Sequence, residues 1–290
     1  MTCRHPHTLV TGASSGIGRA TALRLVAAGH HVFAGVRRDA AARELVEEAG
    51  PGLTPLRLDI TDADQIAEAV TTVGAHTTAL DGLVNNAGVG LAAPVELLPL
   101  DALRAHLEIN VTGQLAVTQA FLPLLRQARG RIVFVSTIGV RFRPPFAGAL
   151  DAAKAATATL ADALRQELAP WDVRVVLVEP ASINSAAADK VARDAEAILR
   201  DASPAARALS EDTFSAMLPV MMRREQAGSP PDVAARTIVE ALTRPRPRDV
   251  YLTGRFAHRL ALISKLPAPA LDAVRRRIFG LPAPGSRMAA

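Results

Sequence analysis

The sequence predicts an α/β fold: a doubly wound parallel sheet of about seven strands with helices on both faces. Two observations carry this prediction. Short apolar runs alternate with helical patterns along the 290 residues, and few residues separate them. No linker or internal repeat interrupts the alternation, so we expect a single domain over residues 1–290. Hydrophobic residues make up 49% of the chain, enough for a sizeable core.

The first half of the chain predicts four strands and three helices. Each strand is rich in apolar residues on both faces, as a parallel sheet covered by helices requires. The predicted strands are His7–Thr11, His31–Val36, Thr54–Leu58 and Leu80–Asn85, and the predicted helices are Gly16–Gly29, Ala40–Ala49 and Asp62–Val73.

The second half continues the alternation with longer helices. The predicted helices are Asp101–Arg126 and Ala147–Leu168, and the predicted strands are Arg131–Ser136, Val173–Val178 and Asp249–Leu252.

Two segments depart from the alternation. Residues 183–229 are polar and predicted to be irregular; they follow the carboxyl end of a strand, where doubly wound folds bind ligands, so we interpret them as a substrate lid. Residues 255–290 are predicted to form a basic helical extension, in which Pro267 and Pro269 stop one helix and a second follows near Leu271–Phe279.

Composition excludes some classes of function. The net charge of +5 arises largely near the carboxyl terminus, but no nucleic-acid-binding motif accompanies it and aromatic residues make up only 3% of the chain. The single cysteine, Cys3, rules out an intramolecular disulfide. The first residues lack the apolar region of a signal peptide. We therefore expect a cytoplasmic protein with no nucleic-acid partner and no metal.

A glycine-rich turn joins the first strand to the first helix. In Thr11–Gly18 the glycines are spaced G-x-x-x-G-x-G, which permits a tight turn and close approach of a pyrophosphate to the free amides of the helix. This arrangement predicts a Rossmann-type dinucleotide site. The candidate contacts in the turn are Gly12, Ser14, Ser15, Gly16, Ile17 and Gly18.

The end of the second strand indicates which dinucleotide binds. NAD sites usually have a carboxylate at this position for the ribose 2′-hydroxyl, but here Val36 is followed by Arg37 and Arg38. A guanidinium can pair with a 2′-phosphate, so the sequence favours NADP(H). The alternative is that the arginines are merely solvated.

The chain resembles the short-chain dehydrogenase/reductase family over nearly its whole length, and in its long C-terminal part the retinol- and 17β-hydroxysteroid-dehydrogenase-like members. The resemblance rests on the glycine turn, Asp59, Asn85–Gly88, Asn110, and Pro180–Ser185. It implies a contact of Asp59 with adenine and a catalytic role for Asn110. The cofactor contacts that it implies beyond the turn are Asp59, Ile60, Asn86, Ala87, Gly88, Lys154, Pro180 and Ile183.

The resemblance also exposes a departure in the catalytic tetrad. The family has a serine and a Y-x-x-x-K motif, whose lysine holds the nicotinamide ribose and whose tyrosine transfers the substrate proton. Here Lys154 matches the lysine, Thr137 stands at the serine position beside Ser136, and Leu150 stands at the tyrosine position.

The leucine at the tyrosine position, Leu150, has two further interpretations: a substitute acid nearby, or a leucine introduced in place of a natural tyrosine. Asp151 is a poor substitute acid, because one residue along a helix turns a side chain by about 100°. Asp151 and Ala153 replace residues that are often small and polar in the family. They favour natural divergence over a leucine introduced in place of a natural tyrosine.

Two functions follow from the departure. The first is an NADP(H)-dependent oxidoreductase with atypical proton handling that reduces a carbonyl or a conjugated C=C bond of a hydrophobic substrate. The second is a catalytically degenerate relative that binds NADP(H) or acts as a scaffold. An apolar stripe in the lid is compatible with a hydrophobic substrate, although such a stripe is more often plain core packing: Phe214, Met217, Leu218, Met221 and Met222.

The resemblance implies a homodimer or homotetramer that assembles through the two long helices, Asp101–Arg126 and Ala147–Leu168. In the basic extension, apolar and basic residues interleave from Arg255 to Leu266. For this stretch we favour a subunit-contact or pocket-covering role over a helix that lies on an anionic membrane.

Overall fold

The computed structural model describes residues 5–185 and 187–286. Its seven strands form one parallel sheet in the order β3-β2-β1-β4-β5-β6-β7, which confirms the predicted fold class. The strands are β1 His7–Val10, β2 His31–Val36, β3 Leu53–Arg57, β4 Gly82–Asn85, β5 Arg131–Val135, β6 Arg174–Pro180 and β7 Val250–Thr253. Cys3, on which the prediction of no intramolecular disulfide rests, lies outside the described residues.

Twelve α-helices connect and flank the strands within the described residues. They are α1 Gly16–Ala27, α2 Asp39–Ala49, α3 Ala63–His76, α4 Leu100–Leu107, α5 Gln114–Ala128, α6 Gly139–Phe142, α7 Gly148–Glu167, α8 Ala187–Asp201, α9 Pro204–Gln226, α10 Pro231–Thr243, α11 Ala257–Ile263 and α12 Ala268–Phe279. None of the described helices is long and apolar enough to cross a bilayer.

The sheet separates two hydrophobic cores. Leu9 of β1 faces the core that Phe121 of α5 and Leu164 of α7 complete. The next residue, Val10, faces the opposite core, with Leu25 of α1. Successive side chains of a strand point to opposite faces, and both faces are buried, so the strands are apolar almost without interruption.

The order of the strands reverses between β1 and β4. β1 pairs with β2 on one side and with β4 on the other. In such sheets a crevice opens at the carboxyl ends of the strands where the direction of winding changes. The glycine turn follows β1, and Asn86–Gly88 follow β4, so both segments lie at this crevice.

The first long helix differs from its prediction in one respect. In place of an uninterrupted helix over Asp101–Arg126, a π-helical segment, Glu108–Gly113, lies between α4 and α5. Gly113 approaches the third strand's exit closely, since a Cβ there would come within 2.7 Å of the Ile60 carbonyl oxygen. Such π turns occur frequently at functional sites, and this one contains Asn110.

The prediction that residues 183–229 are irregular was wrong. They form α8 and α9, which pack together and bury only a narrow apolar stripe that includes Ala195 and Phe214. Polar residues are abundant in both helices, but the apolar residues Val191, Ala195 and Leu199 of α8 recur at helical spacing, a signal that the prediction missed.

The basic extension is helical, as predicted, within the described residues. Pro267 and Pro269 follow the first helix, as predicted, but they also begin the second. Pro267 is the N-cap of α12, and Pro269 lies in its first turn. Proline fits there because the first amides of a helix have no internal acceptor.

Candidate active site

A cavity of about 380 Å³ lies at the crevice between β1 and β4. Its walls come from the ends of β1, β2, β4 and β5 and from α7. The lining residues are Gly12, Ser14, Ser15, Gly16, Ile17, Gly35, Val36, Arg37, Leu58, Asp59, Ile60, Asn86, Ala87, Gly88, Val89, Gly90, Ile109, Asn110, Val135, Ser136, Thr137, Leu150, Lys154 and Ser185.

The glycine turn is shaped by close backbone contacts. Gly12 has a φ of +65°, and a Cβ there would lie 2.8 Å from the Cα of Ala87. A Cβ on Gly18 would collide with the Gly12 carbonyl oxygen. The N-cap residue of α1, Ser15, makes no side-chain capping bond, so the helix N-terminus can receive an anion. These features fit a pyrophosphate.

Side chains of β1 and β4 lock the turn against the sheet. The Thr11 hydroxyl accepts hydrogen bonds from the backbone amides of Asn86 and Ala87, both at 3.0 Å. The Asn86 side-chain amide donates to the carbonyl oxygens of Thr11 and Gly12, at 3.0 and 3.2 Å. Gln114 of α5 donates to the Ala87 carbonyl at 2.7 Å. The floor of the cavity is therefore preorganised.

The end of β2 presents cationic side chains near a single carboxylate. The Val36 side chain is buried, whereas the Arg37 side chain is 67% exposed, and its nearest carboxylate oxygen, on Asp59, is 4.0 Å away. Arg38, the N-cap of α2, is exposed. Asp59 accepts two hydrogen bonds from Thr61. Arg37 is thus weakly held and can swing toward an anion.

Asn110 ties the π segment to the loop after β4. Its Oδ1 accepts from the Val89 amide at 3.2 Å, and its Nδ2 donates to the Val89 carbonyl at 3.1 Å. The ring of His106 lies against the Asn110 side chain, with the His106 Nε2 3.2 Å from the Asn110 Nδ2. Burial, and then the charge of Lys154, lower the His106 pKa to about 4, so this ring is neutral at pH 7.

Lys154 projects from α7 into the cavity and is almost fully buried. Its Nζ donates to the Val135 carbonyl oxygen at 2.8 Å. Burial lowers the Lys154 pKa to about 8, so the amine remains largely protonated at pH 7. Gly88 leaves room for it, because a Cβ at Gly88 would lie 3.4 Å from Nζ and 2.6 Å from the Asn110 Oδ1.

Two hydroxyls follow β5 at the cavity wall. The Thr137 hydroxyl accepts from the Gly139 amide at 3.1 Å, which closes a short turn before α6. The Ser136 Oγ is buried and makes no hydrogen bond to any described residue. Both lie in the lining together with Lys154 and Asn110. The structure therefore brings the three sequence-predicted catalytic residues to one cavity.

Leu150 and Asp151 begin α7 and face different surroundings. Leu150 lines the cavity and Asp151 does not. The Asp151 carboxyl is buried against Gly139, and its Oδ2 makes no hydrogen bond to a described residue. Burial raises its pKa to about 7, although Arg143 and Arg275 oppose the rise. Asp151 is therefore a protonatable group behind the cavity wall.

Four residues from the predicted cofactor set lie outside the lining. They are Gly18, Arg38, Pro180 and Ile183. Gly18 acts through backbone packing and Pro180 ends β6, while Ile183 pairs with Ser229 at the base of α8 and α9.

Sequence reasoning missed several lining residues, namely Gly35, Leu58, Val89, Gly90, Ile109, Val135 and Ser185. Four of these are apolar side chains at strand ends, in loops or on a helix. Nothing in their residue type signals a site. Only Gly35 among them carries a usable signal, because a glycine one residue from the end of a buried strand indicates that another group approaches the backbone closely.

The comparisons with known proteins agree with this geometry. The family model for short chain dehydrogenases matches residues 6–196. Mouse retinol dehydrogenase 5 is 34% identical over 94% of this chain and 89% of the relative. Rat estradiol 17-beta-dehydrogenase 2 is 32% identical over 93% of this chain and 74% of the relative.

Among solved structures, a short chain dehydrogenase from Burkholderia cenocepacia in complex with NADP superposes with a TM-score of 0.71 and 27% identity. The superposition covers 95% of this chain and 99% of the Burkholderia chain. The family match spans more than half of the sequence and includes the glycine turn, Asn110 and Lys154. The chain therefore belongs to the short-chain dehydrogenase/reductase family of oxidoreductases.

Proposed function

We propose that this protein is an NADP(H)-dependent oxidoreductase that reduces a carbonyl or a conjugated C=C bond of a hydrophobic substrate. One observation carries the proposal: Asn110, Thr137 and Lys154 line the same cavity as the glycine turn. The cofactor, when bound, supplies the hydride. The side chains of this chain bind it, orient the substrate and control the proton.

The choice of NADP(H) rests on the end of β2. An NAD-preferring site offers a carboxylate to the ribose 2′-hydroxyl, whereas here that position is Val36. Arg37 lies beside it, exposed and only loosely paired with Asp59. A 2′-phosphate would give Arg37 a doubly charged partner in place of one distant carboxylate oxygen. The NADP complex of the Burkholderia relative is consistent with this preference.

Proton handling is where this chain is unusual. The family resemblance assigns the position of the catalytic tyrosine to Leu150, which cannot transfer a proton. A positioned acid contributes about 10²–10⁴-fold in rate. Thr137 can still donate a hydrogen bond to a carbonyl oxygen, and the Lys154 ammonium can still hold a ribose. Ordinary ketone reduction is therefore slow by this route.

Reduction of a conjugated C=C bond needs the missing acid less. Hydride addition to the β-carbon leaves an enolate, whose oxygen Thr137 can hold while water delivers the proton to carbon. We therefore place enones ahead of ketones as substrates. Phe214 and Leu218 are buried in a core cluster outside the cavity lining, so they do not identify the substrate; apolar lining residues such as Leu150 and Val89 fit a hydrophobic one.

Leu150 also favours a second candidate function. A relative that lost its acid and now only binds NADP(H), as a sensor or scaffold, would retain the glycine turn and Lys154. This candidate predicts tight NADPH binding without turnover of any substrate.

Two measurements on the purified protein test the proposal. Fluorescence titration should show NADPH binding more tightly than NADH, and an Arg37→Ala variant should lose that preference. Oxidation of NADPH should then follow addition of apolar enones. If NADPH binds but no enone or ketone is reduced across a broad panel, the binding-protein candidate replaces the enzyme; if neither dinucleotide binds, both fail.

The Leu150→Tyr variant isolates the role of the missing acid. If the rest of the site is competent, the new phenol lies one helical turn from Lys154 and should raise ketone reduction by about 10²-fold or more. Lys154→Met in the same background serves as the control and should abolish the gain. Unchanged ketone turnover in Leu150→Tyr would show that the cavity is built for other chemistry.

A further inference from the structure

The C-terminal extension divides its apolar residues between two sides. Ala257 and Leu260 face inward and pack with Ile138, next to Thr137 at the cavity wall. Ile263 packs inward with Phe142 and Met217. These inward residues pack against the body of the protein, and they account for part of the alternation of apolar and basic residues in the extension. The outward half has no such partner among the described residues.

The outward half exposes large apolar side chains. Phe256, Leu262 and Leu266 are 46%, 68% and 42% exposed. Seven large hydrophobic residues are exposed in the described chain, and three of them fall within the eleven residues 256–266. Phe256 adopts a φ of +67°, a conformation unusual for an aromatic residue. We call this surface, residues 255–266 with their exposed side chains, the outer C-terminal face.

The same face carries only positive charge. Arg255, Arg259 and Lys265 are exposed, and the sequence holds no Asp or Glu between Val250 and Leu271. The guanidinium groups of Arg255 and Arg259 lie 4.8 and 5.7 Å from the centre of the Phe256 ring. Cations that surround exposed apolar side chains form the pattern that binds an anionic lipid surface.

We propose that the outer C-terminal face docks on the surface of an anionic lipid bilayer. Phe256, Leu262 and Leu266 would enter the interface, while the three cations contact lipid headgroups. This reverses the preference that the sequence alone suggested for the stretch. The exposure of the apolar residues and the absence of any carboxylate on this face are the reasons. The proposal does not depend on the reaction that the active site performs.

A second copy of the chain fits this face poorly. A two-fold contact would place Arg255, Arg259 and Lys265 against the same residues of the other copy, with no carboxylate on the face to pair with them. Three exposed apolar side chains also form a small patch compared with a stable dimer interface, which buries about 800 Å² from each partner. The charge pattern therefore selects the lipid surface.

Vesicle co-sedimentation of the full chain tests the proposal. The wild-type protein should sediment with vesicles that contain 30% phosphatidylglycerol and remain in solution with pure phosphatidylcholine. Leu262→Gln/Leu266→Gln should weaken binding on the order of tenfold. Arg259→Gln/Lys265→Gln should weaken it by roughly 25-fold, since each cation near an anionic surface contributes about fivefold.

Matched controls separate this face from the general positive charge of the protein. Arg43→Gln/Arg193→Gln removes two exposed cations elsewhere, and Val95→Gln/Leu100→Gln alters two exposed apolar residues elsewhere. Both should bind like the wild type, and thermal unfolding should show that all four variants are folded. Wild-type protein that stays in solution with anionic vesicles overturns the proposal. The proposal is also overturned if the variants of the outer C-terminal face bind vesicles as the controls do. It is overturned as well if sedimentation velocity shows that Leu262→Gln/Leu266→Gln only separates a self-associated species.

Discussion

At the scale of single residues, the candidate catalytic groups depend on a glycine that carries no chemistry. Asn110, on the π segment, and Lys154, on α7, approach each other over Gly88. Asn110 is fixed by its two hydrogen bonds to Val89, and Lys154 by its bond to the Val135 carbonyl. Neither group can retreat without losing a buried hydrogen bond. The space that Gly88 leaves free is therefore part of the site.

Gly88→Ala should damage stability and function together. The new methyl group would lie 2.6 Å from the Asn110 Oδ1, closer than atoms can pack, so Asn110 or the loop must move. Overpacking of this kind costs about 1–3 kcal/mol, which lowers the melting temperature by roughly 2–12 °C. Turnover, where it is measured, should fall by more than the loss of folded protein explains.

Gly74→Ala is the matched control for this substitution. Gly74 lies inside α3, and a Cβ there meets nothing within 4 Å. Alanine in a helix interior should be neutral or stabilise the fold by up to about 1 kcal/mol. A Gly88→Ala protein that melts and turns over like Gly74→Ala would show that the approach of Asn110 and Lys154 does not need the glycine.

At the scale of secondary-structure elements, the amino ends of β1 and β2 gather most of the histidines. Five of the seven in the sequence lie there or on the neighbouring elements: His5, His7, His30, His31 and His76. The ring centres of His7 and His31 are 5.6 Å apart, and those of His31 and His76 are 6.2 Å apart. Burial lowers the pKa of His30, against the opposing charge of Asp81. Burial, and then the charges of His76 and His5, lower the pKa of His31.

These shifts predict that stability falls in mild acid. A lowered pKa means that the unfolded chain takes up protons near pH 6.5 before the folded chain does, so the stability is fully present above pH 6.5 and is lost as the pH falls from there through the lowered pKa of the folded chain. The melting temperature of His31→Gln should therefore decrease less than that of the wild type between pH 7.5 and 5.5. Asp151, whose pKa is raised to about 7, contributes a slope of the opposite sign, and His106, whose pKa is lowered to about 4, contributes one of the same sign; both are present in both proteins, so the comparison removes them.

His258→Gln tests whether position matters. His258 is exposed on α11, away from β1 and β2. Its replacement should leave the pH dependence of the melting temperature at its wild-type slope. Equal slopes for the wild type and both variants would mean that the histidine cluster does not set the acid limit of the fold.

The elements that sequence could predict are those with one dominant physical signal. The strands are apolar on both faces, and Gly12, Gly16 and Gly18 mark the first turn, so the central sheet and its crevice follow from pattern alone. The helices α8 and α9 are missed when their many polar residues are interpreted as a sign of irregular structure, although the apolar residues of α8 recur at helical spacing. The π segment also left no signal, because its residues are compatible with an ordinary helix.

The same distinction holds within the site. Asn110, Thr137 and Lys154 could be found because polar residues at these positions match a family motif. The lining residues Leu58 and Val135 are ordinary apolar residues, and only the fold brings them to the cavity. The burial that lowers the pKa of Lys154 to about 8 likewise depends on packing that no spacing in the sequence reveals.

At the scale of the whole molecule, two long helices have stretches whose outer faces carry no charge. α5 contains no charged residue from Gln114 to Leu125. From Ala152 to Ala161, the only charged residue of α7 is Lys154, which is buried. A solvated helix normally carries charges on its outer face, as α2 does with Glu44 and Glu47. The two faces are therefore suited to a subunit contact, as the family resemblance implies.

Sedimentation velocity tests this assembly. We expect a species of two or four times the 30.5 kDa chain mass, and Gln119→Arg/Thr159→Arg should convert it to monomer, because each new charge would be buried against an apolar partner face. Thr71→Arg places the same charge on the exposed face of α3 and should leave the assembly intact. A wild-type protein that sediments as a monomer at micromolar concentration would exclude the contact. An oligomer that survives in Gln119→Arg/Thr159→Arg would place the contact elsewhere, and the uncharged surfaces of α5 and α7 would then need another partner.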